Sequence, residues 1–114
     1  MVKIDRRIPQ RGDIFRLSLN PRVGSEQSGY RPVIVISPLA YNKISKIILI
    51  CPITSRQKQW PFEVKLTDEM ETYGVILADQ LRAVDVSVRS ANFVETAPLE
   101  VIDEVLQKIA TLVR

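Results

Sequence analysis

Short apolar segments separated by polar turns make up most of this chain, and they have the lengths of β-strands. Phe15, Leu17 and Leu19 alternate with polar residues, which predicts a strand with one buried face. The runs at 33–37 and 47–53 are apolar almost throughout, as in a buried strand. The predicted strands are residues 13–19, 33–37, 47–53, 62–66, 73–78 and, more weakly, 84–88.

The C-terminal segment has a different period. Its apolar residues recur at three- and four-residue intervals, the spacing of a helix with one apolar face, and Pro98 suits the first turn. A short helical turn is predicted at 38–43, capped by Ser37. Five or six strands and a closing helix predict a mainly β fold, a small barrel-like sheet in one domain over residues 1–114. The apolar positions of the C-terminal helix are Val101, Ile102, Val105, Ile109, Leu112 and Val113.

Composition narrows the possible chemistry. The 114 residues include no histidine, which excludes histidine-based acid–base catalysis, histidine metal sites and a serine–histidine triad. The single cysteine, Cys51, lies within an apolar run and is expected to be a buried core residue, not a reactive thiol. No zinc-ligand spacing occurs, and neither a metal ion nor another cofactor is expected.

Charge is distributed unevenly along the chain. Residues 1–65 contain twelve Lys and Arg against four Asp and Glu, whereas residues 66–114 contain four against nine. A basic surface attracts polyanions, but basic loops can also be merely solvated, so charge alone leaves a nucleic-acid partner open. No apolar run approaches the roughly 20 residues that span a bilayer, and the first residues lack a signal-peptide core. A cytoplasmic protein without membrane contact is therefore expected.

Three polar residues form the strongest candidate site. A glycine-rich loop delivers Glu26 and Arg31 to the start of a strand, and the planar fork of Arg31 fits phosphate oxygens in pairs. Thr54 directly follows the run 47–53, where a hydroxyl can be held firmly yet exposed. If the two strands are neighbours, Arg31 and Thr54 meet at one rim of the sheet. The alternative is that Arg31 only pairs with an acid such as Glu26, while Thr54 only starts a turn.

Gln80 and Arg82 close the predicted strand at 73–78 and form a second candidate group. In a continued strand they alternate onto one face, where they can contact base edges or phosphates. The alternative is structural, a salt bridge between Asp79 and Arg82.

The loop after Thr54 combines cations with an aromatic ring. Arg56 and Lys58 can contact phosphates, and Trp60 offers a surface on which an unpaired base can stack. Trp60 also precedes Pro61, and it can equally be a lid over the core.

With these residues in view, the chain resembles the MazF/PemK family of toxin endoribonucleases, which includes the Kid toxin. The resemblance runs from about Gly12 to the C-terminal helix and rests on the order and spacing of several short motifs together. These motifs are Gly12-Asp13-Ile14, Gly24-Ser25-Glu26-Gln27, Gly29-Tyr30-Arg31-Pro32, Ser37-Pro38, Tyr41-Asn42, Pro52-Ile53-Thr54, Pro61-Phe62-Glu63-Val64 and Gly74-Val75-Ile76-Leu77-Ala78-Asp79-Gln80.

The resemblance implies a small SH3-like barrel that forms a two-fold homodimer, and a toxin of a type II toxin–antitoxin system. It implies metal-independent, sequence-selective cleavage of single-stranded RNA, with 2′,3′-cyclic phosphate and 5′-hydroxyl products. It also implies inhibition by a cognate MazE-like antitoxin, whose acidic and flexible tail covers the RNA site.

The resemblance further assigns roles to residues. The family's catalytic arginine and threonine fall on Arg31 and Thr54, and its loop glutamate falls on Glu26, the candidate general base. Tyr30 departs from the pattern, because some relatives have histidine there. The loop after Thr54 and the segment after Leu81 diverge, so the recognised RNA sequence does not transfer. The predicted RNA-binding residues are Gln27, Tyr30, Ser55, Arg56, Lys58, Gln80 and Arg82.

Two other functions are compatible with parts of this sequence. One is a non-catalytic module that binds nucleic acid or an acidic peptide, which leaves the joint occurrence of Arg31 and Thr54 without a reason. The other is a gyrase poison like the related CcdB proteins, in which poisoning depends on C-terminal residues. The C-terminal segment 111–114 shows no such motif.

Overall fold

The fold is an antiparallel sheet with one long helix packed against it. The computed structural model describes Lys3 and residues 7–19, 24–26 and 29–114. Within these residues the strands are β1 (Asp13–Ser18), β2 (Tyr30–Val35), β3 (Ile47–Thr54), β4 (Glu63–Lys65), β5 (Val75–Leu77), β6 (Arg82–Asp85) and β7 (Ala91–Thr96). The helices are α1 (Leu39–Asn42) and α2 (Leu99–Val113), and short 3-10 helices span Ala78–Gln80 and Val86–Val88.

Strand β3 is the centre of the sheet. The strand order is β4-β5-β3-β2-β1-β7, and β6 pairs with the first half of β3 while β5 pairs with its last two residues. All the strand pairs among the described residues are antiparallel, both those between consecutive strands and those between strands distant in the sequence, such as β1 and β7. The predicted fold class, mainly β with a C-terminal helix, is confirmed. The pairings among the described residues do not join the outer strands into a closed ring.

Both faces of the central strands are buried, which explains their continuous apolar runs. Along β3, Ile48 and Ile50 pack into one cluster, whereas Cys51 and Ile53 pack into another on the opposite face. The helix α2 covers the second of these faces. It packs there through its apolar side chains, which recur at helical spacing and so form one stripe. Its buried residues are Val101, Val105 and Ile109.

Five of the six predicted strands end earlier than expected, and one strand was not predicted. The strand predicted at 84–88 stops at Asp85, whose carboxylate accepts hydrogen bonds from the Ser87 amide and hydroxyl at 2.9 and 2.5 Å. This local bonding favours a 3-10 turn over continued pairing. The strand predicted at 73–78 is confined to Val75–Leu77. Strand β7 was missed, because most of its residues are only partly buried.

A buried carboxylate fastens β1 to its neighbours. Asp13 is fully buried and accepts hydrogen bonds from Arg7 Nε and Nη2 at 2.8 and 2.9 Å. It also accepts from the Gln10 amide at 3.0 Å and the Thr96 hydroxyl at 2.9 Å. The hydrogen bond to Asp13 raises the pKa of Arg7, whose guanidinium lies 4.4 Å from the centroid of the Phe93 ring. The motif around Asp13 is therefore structural.

The longest helix of the described residues, α2, is amphipathic. No helix in this part of the chain is both long and apolar enough to cross a membrane.

Candidate active site

Thr54 is the last residue of β3, and the fold holds it more tightly than its sequence position suggested. Only 4% of the surface of Thr54 is accessible to solvent, so the prediction of an exposed hydroxyl is wrong. Thr54 Oγ1 accepts a hydrogen bond from the Arg56 amide at 3.2 Å. A hydroxyl that accepts one hydrogen bond still has its own proton to donate. Thr54 is thus a fixed hydroxyl at the edge of a cavity.

That cavity has a volume of about 470 Å³ and contains four of the predicted site residues. Thr54, Arg56, Lys58 and Gln80 line it, together with Ser25 from the glycine-rich loop. The remaining lining residues are Trp60, Glu63, Leu77 and Asp79. The acidic side chains here already serve as acceptors, since the Glu63 carboxylate accepts from the Lys58 amide at 3.2 and 3.0 Å.

Asp79 has a different partner from the one considered from the sequence. Its Oδ2 accepts a hydrogen bond from Trp60 Nε1 at 2.8 Å, and the ion pairs among the described residues do not include one between Asp79 and Arg82. Arg82 Nη1 instead donates to the Leu19 carbonyl at 3.5 Å. Asp79 is the lining residue whose role sequence reasoning missed, because it lies 19 positions from Trp60.

Arg31 and Thr54 are aligned by the strand register. In the β2–β3 pair Val33 lies opposite Pro52, and both strands continue by two residues, to Arg31 and Thr54 respectively. Strand alternation puts these two residues on the same face of the sheet. Both residues therefore lie at one rim of the sheet, where β3 ends.

The two residues nevertheless line different cavities. Arg31 is half-buried and borders a separate open groove of about 380 Å³, which it shares with Arg16, Ser55 and Tyr73. Ser55 follows Thr54 directly, so the groove and the Thr54 cavity lie on either side of the end of β3.

Glu26 lies in a third, smaller space. It lines a cavity of about 170 Å³ with Pro52, Gln80 and Arg82. Gln80 lines this cavity and the Thr54 cavity as well, so the two are adjacent. Gln80 belongs to the 3-10 helix Ala78–Gln80, and a turn rather than a continued strand brings it beside Arg82.

Of the two remaining predicted RNA-binding residues, Tyr30 is described by the structure and lines none of these three cavities. Tyr30 is 41% exposed, and its ring lies 5.3 Å from the Arg16 guanidinium. The Tyr30 hydroxyl accepts a hydrogen bond from the Asn92 side chain. Gln27 lies outside the described residues.

Cys51 is buried, as expected. Burial, together with the negative charge of Asp79, raises the pKa of its thiol to about 12. The thiol is therefore protonated at neutral pH and is not a nucleophile.

The loop beside the Arg31 groove is fastened by Glu95. Its carboxylate accepts from the Glu71 amide at 3.2 Å, and from the Thr72 amide and hydroxyl at 2.7 and 2.6 Å. Burial raises the pKa of Glu95, but these hydrogen bonds outweigh burial, and the net pKa is lowered. Ionised Glu95 therefore stabilises the fold above the pKa of an unfolded glutamate, about 4.3, and this contribution is lost as the pH falls through the folded pKa.

Glu95→Gln is expected to lower the free energy of unfolding by about 1 kcal/mol at neutral pH, because an amide replaces a charged acceptor. The difference from the wild type should shrink as the pH falls below the unfolded pKa and through the lowered folded pKa, where wild-type Glu95 also becomes protonated. Urea denaturation of both proteins at several pH values measures this difference. If the difference in free energy of unfolding between the two proteins stays constant down to acidic pH, the charge of Glu95 does not stabilise the fold.

The chain as a whole matches known proteins. A family model described as a PemK-like, MazF-like toxin of type II toxin–antitoxin systems matches residues 10–113. The endoribonuclease toxin MazF of Escherichia coli K12 is 36% identical over 110 residues, which are 96% of this chain and 98% of that protein. Endoribonuclease PemK of Escherichia coli is 34% identical over 107 residues, which cover 90% of this chain and 80% of PemK.

Solved structures agree with these sequence matches. The crystal structure of MazF from Deinococcus radiodurans superposes with a TM-score of 0.88 and 40% identity, over 93% of this chain and 96% of that one. A MazE–MazF crystal structure from the same organism gives a TM-score of 0.83 and 40% identity, with the same coverage of both chains.

Proposed function

Because this chain belongs to the family of PemK-like and MazF-like toxins of type II toxin–antitoxin systems, we propose that it cuts single-stranded RNA without a metal ion. The family predicted from the sequence is confirmed, and the matched relatives named above are endoribonucleases. The observation that supports this proposal most directly is the fixed hydroxyl of Thr54, aligned with Arg31 and bordered by Arg56 and Lys58.

RNA carries its own nucleophile, the 2′-hydroxyl beside the phosphate that is cut. Its oxygen loses a proton and attacks the phosphorus, the bond to the 5′-oxygen breaks as that oxygen takes up a proton from water, and the products are a 2′,3′-cyclic phosphate and a 5′-hydroxyl. The protein must stabilise the negative charge that gathers on the phosphate oxygens during this attack. Arg31 supplies a permanent positive charge with paired donors, and Thr54 supplies one further hydrogen bond.

Glu26 is the candidate group to remove the proton from the 2′-hydroxyl. It is exposed on the glycine-rich loop, and its cavity adjoins that of Thr54 through Gln80. The loop also contributes Ser25 to the Thr54 cavity.

The remaining residues predicted from the sequence would hold the RNA chain. Arg56 and Lys58 face the Thr54 cavity, and Arg82 faces the Glu26 cavity, so cations lie on both sides of Gln80. Ser55 extends the path toward the Arg31 groove. Phosphate contacts of this kind position an RNA strand, whereas base contacts select its sequence.

Membership of this family also supports proposals about cellular location, oligomeric state and inhibition. We propose that the chain acts in the cytoplasm as a homodimer and is inhibited by a cognate MazE-like antitoxin. The support is the similarity to the MazF chain of a MazE–MazF structure, at 40% identity over 93% of this chain. Neither a gyrase target nor simple binding has comparable support, because the matched relatives are named as endoribonucleases.

Incubation of the purified protein with a long, unstructured RNA in excess EDTA tests this function. We expect cleavage at specific sites, with 2′,3′-cyclic phosphate and 5′-hydroxyl ends. The matched control is the same RNA with a single 2′-deoxy nucleotide at a mapped cleavage site, which should resist cutting only there. Products with 5′-phosphate ends, or cleavage that requires Mg²⁺, would contradict the proposal.

A further inference from the structure

Trp60 is the single tryptophan of the chain, and it is unusually exposed for this residue type. Half of its surface is accessible to solvent, 50%, although tryptophan is usually well buried. It lines the same cavity as Thr54, Arg56 and Lys58. Half of the residue's surface is therefore open to contact by a ligand, while the ring also packs beside Phe62 at the margin of the core.

The indole ring is held in one orientation. Its Nε1 donates to Asp79 Oδ2 at 2.8 Å, which fixes the edge of the ring. Its ring centroid lies 5.9 Å from that of Phe62, with the two ring planes inclined at 51°. The indole therefore has a bonded edge and a packed neighbour, and it still presents half its surface to solvent.

The backbone that carries Trp60 is also fastened at several points. The Trp60 carbonyl accepts from the Glu63 amide at 3.0 Å. Lys108 of α2 donates from Nζ to the Pro61 carbonyl at 2.6 Å and to the Glu63 carbonyl at 3.0 Å. The ring surface is thus preorganised, and a ligand would not have to bear the entropic cost of ordering it.

We propose that Trp60 is a stacking platform for the base of one of the two nucleotides that flank the cleaved phosphate. This inference rests on the proposed function, because the ligand is the same RNA strand. A cavity of about 470 Å³ with an indole wall, two cations and the Thr54 hydroxyl suits a nucleotide, whose base stacks while its phosphates meet Arg56 and Lys58. Asp79 acts as a positioning residue, through its hydrogen bond to the indole.

The fluorescence of Trp60 provides a direct test, since no other tryptophan contributes to the signal. The probe is a short RNA that spans a mapped cleavage site and carries a 2′-deoxy nucleotide there, so that it binds without being cut. We expect this RNA to quench the fluorescence, with the same midpoint as binding measured by anisotropy of an end-labelled copy. An RNA with an abasic nucleotide at the stacked position should bind without quenching the fluorescence, and this result identifies which base stacks on Trp60.

Trp60→Ala should weaken binding by roughly 5- to 150-fold, the usual effect of removing one base-stacking ring. Trp60→Phe should retain most of the affinity, because it keeps an aromatic face. The matched control is Tyr41→Ala, which removes an aromatic residue of 40% exposure from α1 and should bind as the wild type does.

The outcomes separate this inference from the proposed function. RNA that binds without changing the fluorescence, or a Trp60→Ala protein with wild-type affinity, overturns the inference alone while cleavage still supports the enzyme. A protein that neither cuts nor binds single-stranded RNA overturns the proposed function and the inference with it.

Discussion

Arg31→Ala is expected to lower the rate constant of RNA cleavage by roughly 10²–10³-fold or more. Removal of one preorganised donor to developing charge has an effect of this size, and Arg31 contributes a full positive charge in addition. The residue is half-buried at the start of β2, in register with Thr54 across the β2–β3 pair. Single-turnover cleavage of a labelled RNA measures the chemical step separately from binding.

Arg16→Ala is the matched control for this measurement. Arg16 lies on β1 and lines the same groove as Arg31, but strand alternation places it on the opposite face from Thr54. Its removal deletes the same charge from the same groove and should change the cleavage rate constant by less than about tenfold. Wild-type turnover by a folded Arg31→Ala protein, or equal losses in both variants, would contradict a catalytic role for Arg31.

The central strands could be predicted because their signal, a run of successive apolar residues, lies within a short stretch of sequence. The runs 33–37 and 47–53 are apolar on successive residues, and the structure buries both faces of β2 and β3 for that reason. Strand β7 was not predicted, because tertiary pairing with β1 creates it from a segment of mixed polarity. Its register with β1 even shifts between Ile14 and Phe15, which no short-range pattern could indicate.

The candidate site was only partly accessible from the sequence. The pairing of Arg31 with Thr54 agrees with the β2–β3 register, since Arg31 lies at the start of β2 and Thr54 at the end of β3, and the two antiparallel strands are neighbours in the sheet. The division into three cavities depends on how loops fold back over the strand ends, and the bond between Trp60 and Asp79 joins residues 19 positions apart. Long-range contacts of this kind leave no periodic signal.

Gly74→Ala is expected to lower the free energy of unfolding by about 3 kcal/mol, through strain and a backbone clash. Gly74 has a φ of +121°, which is unfavourable for any residue with a Cβ atom. A Cβ atom there would lie 2.2 Å from the Thr54 carbonyl oxygen and 2.8 Å from its carbonyl carbon. These are backbone atoms of the central strand, so they cannot rotate away as a flexible side chain could.

Gly24→Ala separates the clash from the strain, since Gly24 also has a positive φ, +60°, but no atom lies within 4 Å of a Cβ placed there. This control should lose only about 1 kcal/mol in urea denaturation. Gly74→Ala should also slow RNA cleavage in folded protein, because relief of the clash must move the backbone of Thr54 and with it the hydroxyl that we propose contacts the phosphate. Equal stability losses in the two variants would show that the contact between Gly74 and Thr54 is not close enough to transmit this effect.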